Sequence, residues 1–410
     1  MRTKIFLTAL IVIAAPVLVR AQANSCVDCH LKLDGELKTP AVNFAQDAHA
    51  RFGLTCKDCH GGNPAAADED KAKDKTFKGA PKRAQIPEFC GRCHADATYM
   101  RTANAKLRID QLDQYWTSKH GQQLKKGDTK VAVCTDCHGN HDIQSSKFPK
   151  SSTFSWNVAA TCGRCHGDAE YMKPYEISTN PPAEWKESVH ANALLVKKDM
   201  SAPTCNDCHG NHGAYPPEVK SVASVCRQCH PSTGDLFNKS PHKKAFDDMG
   251  ASECEACHGN HKILRPTNAM LGTADTSVCI TCHDKGSAGY KAAEELKGLL
   301  DGVDKRIAAA RGVLDAAENK GVEVSDPQFK LKDIDTSTIM AKNLVHGLNM
   351  ADIKGKLAEA EPTLAEVEKA GTAALGEAKY RRSGLILATV FLALFGVALF
   401  MKIRTMKKPE

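Results

Sequence analysis

Residues 134–141 read Cys-Thr-Asp-Cys-His-Gly-Asn-His, and this stretch contains the pattern that decides the fold. Two cysteines that are separated by two residues and followed at once by a histidine form the attachment signature of haem c. The two thiols bond to the haem vinyl groups, and the adjacent histidine binds the iron from the proximal side. The stretch therefore predicts a covalent haem, and its last residue, His141, is a second potential iron ligand.

The same motif accounts for all 18 cysteines of the 410-residue chain. Zinc sites and disulfide frameworks also use cysteine pairs, but neither requires a histidine after every second cysteine. We therefore predict nine covalent haems and no catalytic side chain. The attachment cysteines are Cys26, Cys29, Cys56, Cys59, Cys90, Cys93, Cys134, Cys137, Cys162, Cys165, Cys205, Cys208, Cys226, Cys229, Cys254, Cys257, Cys279 and Cys282. The proximal ligands are His30, His60, His94, His138, His166, His209, His230, His258 and His283.

The motifs alternate between two types, which reveals an internal repeat. The motifs that begin at Cys56, Cys134, Cys205 and Cys254 end in His-Gly, and each is followed by one motif of the second type, which begins at Cys90, Cys162, Cys226 or Cys279. The chain thus contains four two-haem units after a lone haem at Cys26. Because the motifs follow one another so closely, the haems must pack together and supply most of the core.

Further histidines recur at fixed places in these units and are the candidate distal iron ligands. Each unit opens with one of them, five residues after an aromatic residue: His49, His120, His190 and His242. Units two to four add a second in the sequence His-Gly-Asn-His: His141, His212 and His261. A histidine three residues after a proximal ligand cannot cross its own haem plane, so it must reach a neighbouring haem. Two axial histidines give low-spin iron of low potential.

Counting leaves one iron without a histidine partner. The 17 histidines comprise nine proximal ligands and eight others, the last of which is His346 in the C-terminal region. The shortfall is expected in unit one, where Gly61-Gly62-Asn63-Pro64 replaces the usual ending, or at a neighbouring haem. Met100 and Met172 each follow a proximal histidine by six residues and are alternative ligands, although repeat packing explains both.

Both ends of the chain carry an apolar segment. Residues 1–23 read as a signal peptide with a small-residue cleavage site, an uncleaved anchor being the alternative. Ser383–Met401 has no charged residue and is long enough to span a bilayer as a helix, whereas a buried soluble helix is the alternative. The excess of Lys and Arg in residues 402–410 predicts a cytoplasmic tail and an exported haem domain.

Residues 287–382 lie between the last motif and the apolar segment, and they are rich in Ala, Glu, Lys and Leu. Apolar residues recur at helical spacing from Leu296 to Ala317 and every seven residues from Ile339 to Ala374. This pattern predicts an antiparallel helical hairpin, with a partner-binding coiled coil as the alternative. The predicted fold is mainly α and irregular: a haem-packed domain at 24–286, a helical stalk and one transmembrane helix.

The chain resembles the multihaem cytochromes c with doubled Cys-x-x-Cys-His motifs, akin to the c3 and c7 types of anaerobically respiring bacteria. The resemblance covers residues 24–286. It implies haem ligation and a haem domain in the periplasm, which the apolar segment Ser383–Met401 is expected to anchor in the inner membrane. It also implies electron transfer between a quinol-oxidising membrane partner, such as a cytochrome b subunit, and periplasmic cytochromes or reductases.

Two other functions fit the same motifs. The first is a multihaem reductase of nitrogen or sulfur oxyanions acting at a five-coordinate haem, and the second is a quinol dehydrogenase subunit. The number of axial ligands bears on this choice, since an enzyme needs an open iron and an electron carrier does not. The formal charge of +7 does not predict a nucleic-acid partner, because nine haems add about eighteen propionate groups.

Overall fold

The computed structural model describes residues 24–217 and 219–406. The predicted signal peptide (1–23) and the last four residues of the predicted tail lie outside the described residues. About two thirds of the chain is helical, and no β-strand occurs in the described ranges. The predicted fold class, mainly α with irregular connections, is thereby confirmed.

Most helices of the motif-bearing part are short. The α-helices here are α1 Ser25–His30, α2 Thr39–Asn43, α3 Ala48–Arg51, α4 Cys56–His60, α5 Glu69–Ala72, α6 Ile86–His94, α7 Ala97–Asn104, α8 Gln111–Thr117, α9 Lys119–Lys125, α10 Cys134–His138, α11 Ser155–His166, α12 Ala169–Met172, α13 Pro181–Lys186, α14 Val189–Ala191, α15 Cys205–His209, α16 Val219–Arg227, α17 Pro231–Lys239, α18 Pro241–Met249 and α19 Glu255–His258. Three long helices follow: α20 Ala288–Glu318, α21 Ser325–Leu344 and α22 Met350–Met406.

The His-Gly motifs fold into single helical turns for local reasons. In three of them the third motif residue is an aspartate whose carboxylate accepts the backbone N–H just before the first cysteine. The N···O distances are 2.6 Å for Asp58, 2.7 Å for Asp136 and 2.8 Å for Asp207. This bond satisfies a donor that the helix itself leaves unpaired. The turn ends at a glycine with positive φ, such as Gly139 at +80°, a conformation that other residues rarely adopt.

The chain forms two compact units. The first comprises the described residues up to Pro182 together with Ala193–Pro216, and it contains the first six motifs. The second comprises Ala183–Asn192 and the chain from Pro217 onward. The second unit therefore joins the last three motifs to the three long C-terminal helices.

The long helices pack through the apolar seam that the sequence predicts. Leu314, Leu331, Leu364 and Val367 are almost completely buried in one cluster. The structure differs from a simple hairpin, because the predicted second arm is divided into α21 and α22 by a turn at 345–349. Leu348 in this turn has a φ of +51°, which ends the helical path.

Two details of the predicted seam change as a result. Ile339 was predicted to lie on it but is 68% exposed, while Ile334 and Ala341 of the same helix are buried. The seven-residue pattern runs through the turn without a visible interruption, so the sequence gives no sign of the reversal. Pro362 lies inside α22, which continues through it as one helix.

The C-terminal part of α22 is long and apolar enough to cross a membrane, and no part of its apolar window is buried inside the protein. The charged residues that flank this window, among them Arg381 and Lys402, are also exposed. A helix that is apolar on all sides and uncovered by protein has no partner for its side chains in water.

Candidate metal centres

Pairs of histidine rings recur throughout the structure. Among the described residues, seven proximal histidines each face one candidate distal histidine, with ring centres 5.8 to 6.5 Å apart. The pairs are His94 with His49, His60 with His141, His166 with His120, His138 with His212, His230 with His190, His283 with His242, and His258 with His346.

This spacing fits an iron ion between two imidazoles. A metal–imidazole bond is about 2 Å, so two trans bonds plus the distance from each nitrogen to its ring centre give about 6 Å. The same residues do not fit the alternatives. Within residues 24–217 and 219–406, no group of three or more His, Cys, Asp or Glu side chains forms a metal cage, and no disulfide joins the cysteines. Two opposed ligands per site suit haem iron, not tetrahedral zinc.

The unit-opening histidines His49, His120, His190 and His242 face the second motif of their own unit. A buried side chain two residues before each one fixes the turn: Asp47, Ser118, Ser188 or Ser240. Ser118 and Ser188 accept a backbone N–H of the following helix, and Asp47 accepts the N–H of His49 at 2.8 Å. The sequence analysis did not assign Asp47 a role, although its position matches that of the three serines.

Asp47 also controls the ring of His49. Its carboxylate lies 2.9 Å from His49 Nδ1 and accepts the N–H of Ile143 at 2.7 Å. Burial alone would raise the pKa of Asp47, but the hydrogen bonds from His49 and Ile143 outweigh it, so the net pKa is lowered. The ionised carboxylate therefore holds the proton on Nδ1 and leaves Nε2 as the metal-binding nitrogen.

The histidines of the His-Gly-Asn-His segments reach across to another motif. His141 faces His60, the proximal ligand one unit earlier, and His212 likewise faces His138. In each segment the asparagine side chain accepts the N–H of the next residue, at 2.9 Å for Asn140 and 2.6 Å for Asn211. The repeat register predicts the same role for His261, whose N–H is bound by Asn260 at 2.7 Å.

His346 lies in the turn between α21 and α22 and faces His258 at 6.0 Å. The turn is held against α17, where the Thr233 hydroxyl donates to the side-chain oxygen of Asn343 at 2.8 Å. The backbone oxygen of Asn343 also lies 2.9 Å from His346 Nδ1. This candidate ligand thus comes from outside the repeats, and its ring is oriented by the helical region.

Carbonyl oxygens orient several of the other rings in the same way. Nδ1 of His60 lies 2.9 Å from the oxygen of Gly79, and Nδ1 of His30 lies 2.7 Å from the oxygen of Leu37. A carbonyl can only accept, so Nδ1 carries the proton and Nε2 is available for a metal.

Burial keeps these imidazoles in the neutral form that binds metal. It is the main cause that lowers the pKa of His94, His120 and His258, and it lowers the pKa of His138 to about 4. The neighbouring histidine of each pair lowers the pKa further for His94, His120 and His258. These rings need no deprotonation before they coordinate iron at neutral pH.

Successive motifs lie side by side within each of the two compact units. Some neighbouring thiols share a hydrogen bond: Cys90 with Cys134, Cys162 with Cys205, and Cys226 with Cys254. Others interact electrostatically: Cys26 with Cys56, Cys59 with Cys93, Cys137 with Cys165, and Cys257 with Cys279 and Cys282. First cysteines meet at one junction and second cysteines at the next, so the spatial order of motifs inside a unit follows the chain.

Arginines in two motifs strengthen this arrangement. Arg92 donates to the backbone oxygen of Cys59 at 3.1 Å, and Arg164 donates to the backbone oxygen of Asp136. Each arginine belongs to a Cys-Gly-Arg-Cys-His motif and binds the motif before it. Gly91 of the first of these motifs also packs closely against α8, where a Cβ would lie 2.5 Å from the Leu112 side chain.

The remaining candidates have other surroundings. Nδ1 of His209 lies 3.4 Å from the oxygen of Tyr215, and Nδ1 of His261 lies 3.8 Å from the Glu184 carboxylate. Met100 and Met172, the alternative ligands, are both buried in the same position of their repeats, on α7 and α12.

Comparison with known families agrees with this geometry. Residues 48–167 and 196–284, just over half of the chain, match the family described as cytochrome c3. No curated protein and no solved structure matches the chain. The chain therefore belongs to the cytochrome c3 family of multihaem electron-transfer cytochromes, which bind haem c covalently.

Proposed function

We propose that this protein is a membrane-anchored periplasmic cytochrome with nine haems. It passes electrons in anaerobic respiration from a quinol-oxidising membrane partner, such as a cytochrome b subunit, to periplasmic cytochromes or reductases. Haem c, when bound, supplies the one-electron redox change of its iron. The polypeptide sets the order of the haem sites, orients the imidazole rings and buries them.

The observation that carries the proposal is the order of the motifs. Cysteines of consecutive motifs lie within hydrogen-bonding or electrostatic range of each other along the first compact unit, from Cys26 to Cys205, and again along the second. Haems attached at such neighbouring residues lie close to one another, as electron transfer from site to site requires. The facing imidazoles suit a low potential, because two histidines give a lower potential than a histidine and a methionine.

The apolar end of α22 supports the membrane part of the proposal. An uncovered apolar helix flanked by Arg381, Arg382, Lys402 and Arg404 has the length and the flanks of a membrane span. Export of the haem domain through the signal peptide would place residues 402–410 in the cytoplasm.

The anchor is tested by truncation after Ser383. We expect complete release of a haem-loaded protein from the membrane, because the apolar window is the only described helix of sufficient length and hydropathy. Haem-stained gels of membrane and soluble fractions after a salt wash measure this. The control is the full-length chain with its first 23 residues replaced by a well-cleaved signal peptide, which should stay in the membrane. A truncated protein that remains membrane-bound would contradict the C-terminal anchor.

The electron-transfer role is tested against the reductase alternative. Fully reduced protein mixed with an oxidised soluble cytochrome c3 should be reoxidised at all haems. It should show no catalytic turnover of nitrite or tetrathionate with reduced viologen as donor. Sustained turnover of either oxyanion would favour the reductase function instead.

A further inference from the structure

The distal histidines follow a simple rule along the repeats. The unit-opening histidine faces the second motif of its own unit, and the histidine three residues after a proximal ligand faces the His-Gly motif one unit earlier. His346 takes the second role for His258, beyond the last unit. If His261 acts as His141 and His212 do at the same position of the repeat, these ligands account for eight proximal histidines. The remaining proximal histidine is His30.

The segment that would serve His30 is present but carries no ligand. By the rule, the distal histidine should come from unit one, three residues after His60, and Asn63 stands there. The side-chain oxygen of Asn63 accepts the N–H of Ala65 at 3.1 Å, and the backbone N–H of Asn63 donates to the oxygen of Ala72 at 2.8 Å. The amide is therefore engaged within its own loop.

This loop nevertheless adjoins the first motif. The oxygen of Pro64 accepts the N–H of Ser25, in α1, at 2.9 Å. The amide of Asn24 also reaches Cys56 Sγ at 3.9 Å. The helix that carries His30 thus packs against the Asn63–Pro64 segment, which contains no imidazole.

Three candidate replacements among the described residues have other surroundings. Met100 and Met172 follow the proximal ligands His94 and His166, which already face His49 and His120. Glu69 is close enough to His30 for an electrostatic interaction, but its carboxylate is bound to Lys73 at 2.7 Å. The ring of His30 itself is only half-buried, and Cys29 next to it is exposed.

We infer that the haem held by Cys26, Cys29 and His30 is five-coordinate and binds a small exogenous molecule on its distal side. The ligand class is a small neutral donor, such as carbon monoxide on the reduced iron or imidazole on the oxidised iron. Neutral ligands are favoured because the Glu69 carboxylate lies near this ring.

The full-length protein in detergent provides the first test. Electron paramagnetic resonance of the oxidised form should show high-spin iron amounting to about one haem in nine. Millimolar imidazole should convert this iron to low spin. The dithionite-reduced form should bind about one carbon monoxide per chain. Nine low-spin haems that bind no carbon monoxide, or a near-infrared band of methionine-bound iron, would overturn the inference.

Two matched haem deletions locate the site. Cys26→Ala with Cys29→Ala removes the first haem and should abolish both the high-spin signal and carbon monoxide binding. Cys279→Ala with Cys282→Ala removes the last haem and should preserve both. The reverse result would place the open iron elsewhere.

A gain of ligand gives a second test that keeps all nine haems. Asn63→His restores an imidazole at the register position and should reduce the high-spin signal and carbon monoxide binding several-fold. Ala65→His adds the same ring two residues later and should change neither.

Glu69→Gln should also leave both unchanged. A spectral change in this variant would identify a carboxylate ligand and contradict an exogenous one. An unchanged signal in Asn63→His would contradict the assignment to His30.

Discussion

His258 and His30, near the two ends of the haem series, differ in whether the chain supplies a facing histidine. At the C-terminal end, no further repeat follows His258, and a histidine from the helical region faces it across 6.0 Å. At the N-terminal end, the loop that should supply a ligand to His30 lies in place with Asn63 instead of a histidine. One end is closed by an unrelated part of the chain, and the other is left without an imidazole.

This difference shows that the repeats are not self-sufficient. Each His-Gly motif depends on the next unit for its distal ligand, so a row of such units always ends with one unserved motif. His346 serves this last motif from an ordered turn, which the hydrogen bond between Thr233 and Asn343 holds in place. Nothing in the described residues closes the corresponding gap beside His30, although the contact between Ser25 and Pro64 has been kept.

Replacing His346 should have the largest effect on this comparison. In His346→Ala the iron of the His258 haem loses its distal partner, so the high-spin fraction should rise from about one haem in nine to about two. Quantitative electron paramagnetic resonance of the oxidised protein measures the change. The two ends would then look alike.

The control for this variant is Lys354→Ala, which removes a surface ion pair with Glu295 in the same helical region. It should leave the spin states unchanged. No new high-spin haem in His346→Ala would mean that His346 is a structural residue of the turn.

Much of the candidate site follows from the sequence because its signals are local. The five residues of each motif bring two cysteines and one histidine close together within about one helical turn, so the nine attachment sites can be predicted from spacing alone. The offset of Asp47, Ser118 and the other capping residues from the distal histidines is equally local. Which haem each distal histidine serves is not, because His60 and His141 meet only after the chain has passed through another motif.

The helical region shows a second limit of sequence patterns. A seven-residue apolar spacing continues from Ile339 to Ile353 across a turn that reverses the chain. Periodicity records which residues are apolar but not whether the backbone stays helical between them. Leu348, whose φ is +51°, gives no such warning in the sequence, since left-handed conformations are usually found at glycine or asparagine.

Weakening the helical core should loosen the C-terminal end only. Leu314 is completely buried among residues of α20, α21 and α22, so Leu314→Ala should lower the free energy of unfolding of these helices by about 2–5 kcal/mol. Chemical denaturation followed by circular dichroism measures the loss. The matched control is Ile339→Ala at an exposed position, which should cost at most about 0.5 kcal/mol. Equal losses in both variants would contradict the observed seam.

Asp47 offers a finer test near the N-terminal end. Asp47→Asn removes the carboxylate that accepts the hydrogen bond from His49 Nδ1. The ring then donates less electron density to the iron, so the ferric state is less stabilised. One haem in nine, the one held by His94 and His49, should shift to higher potential in a spectroelectrochemical titration. Ser118→Ala is the control, because that hydroxyl caps the N–H of Gly121 and does not touch an imidazole. Identical titrations of both variants would contradict this role of Asp47.

The smallest effect is expected at the ion pairs that join α20 to α22. Arg306 donates to Glu361 at 2.7 Å and to Glu368 at 2.9 Å, and all three side chains are more than a third exposed. Arg306→Met should therefore cost only about 0.2–1 kcal/mol, and less at high salt. The hydrogen bond from Arg306 lowers the pKa of Glu368, so the stabilisation is present above the ordinary pKa of a glutamate and is lost as the pH falls through the lowered value. Denaturation of wild type and variant should differ at pH 7 and converge in acid, while the iron facing His346 stays low-spin in both. A loss of several kcal/mol, or a new high-spin haem, would show that this network positions the turn as strongly as the buried leucines do.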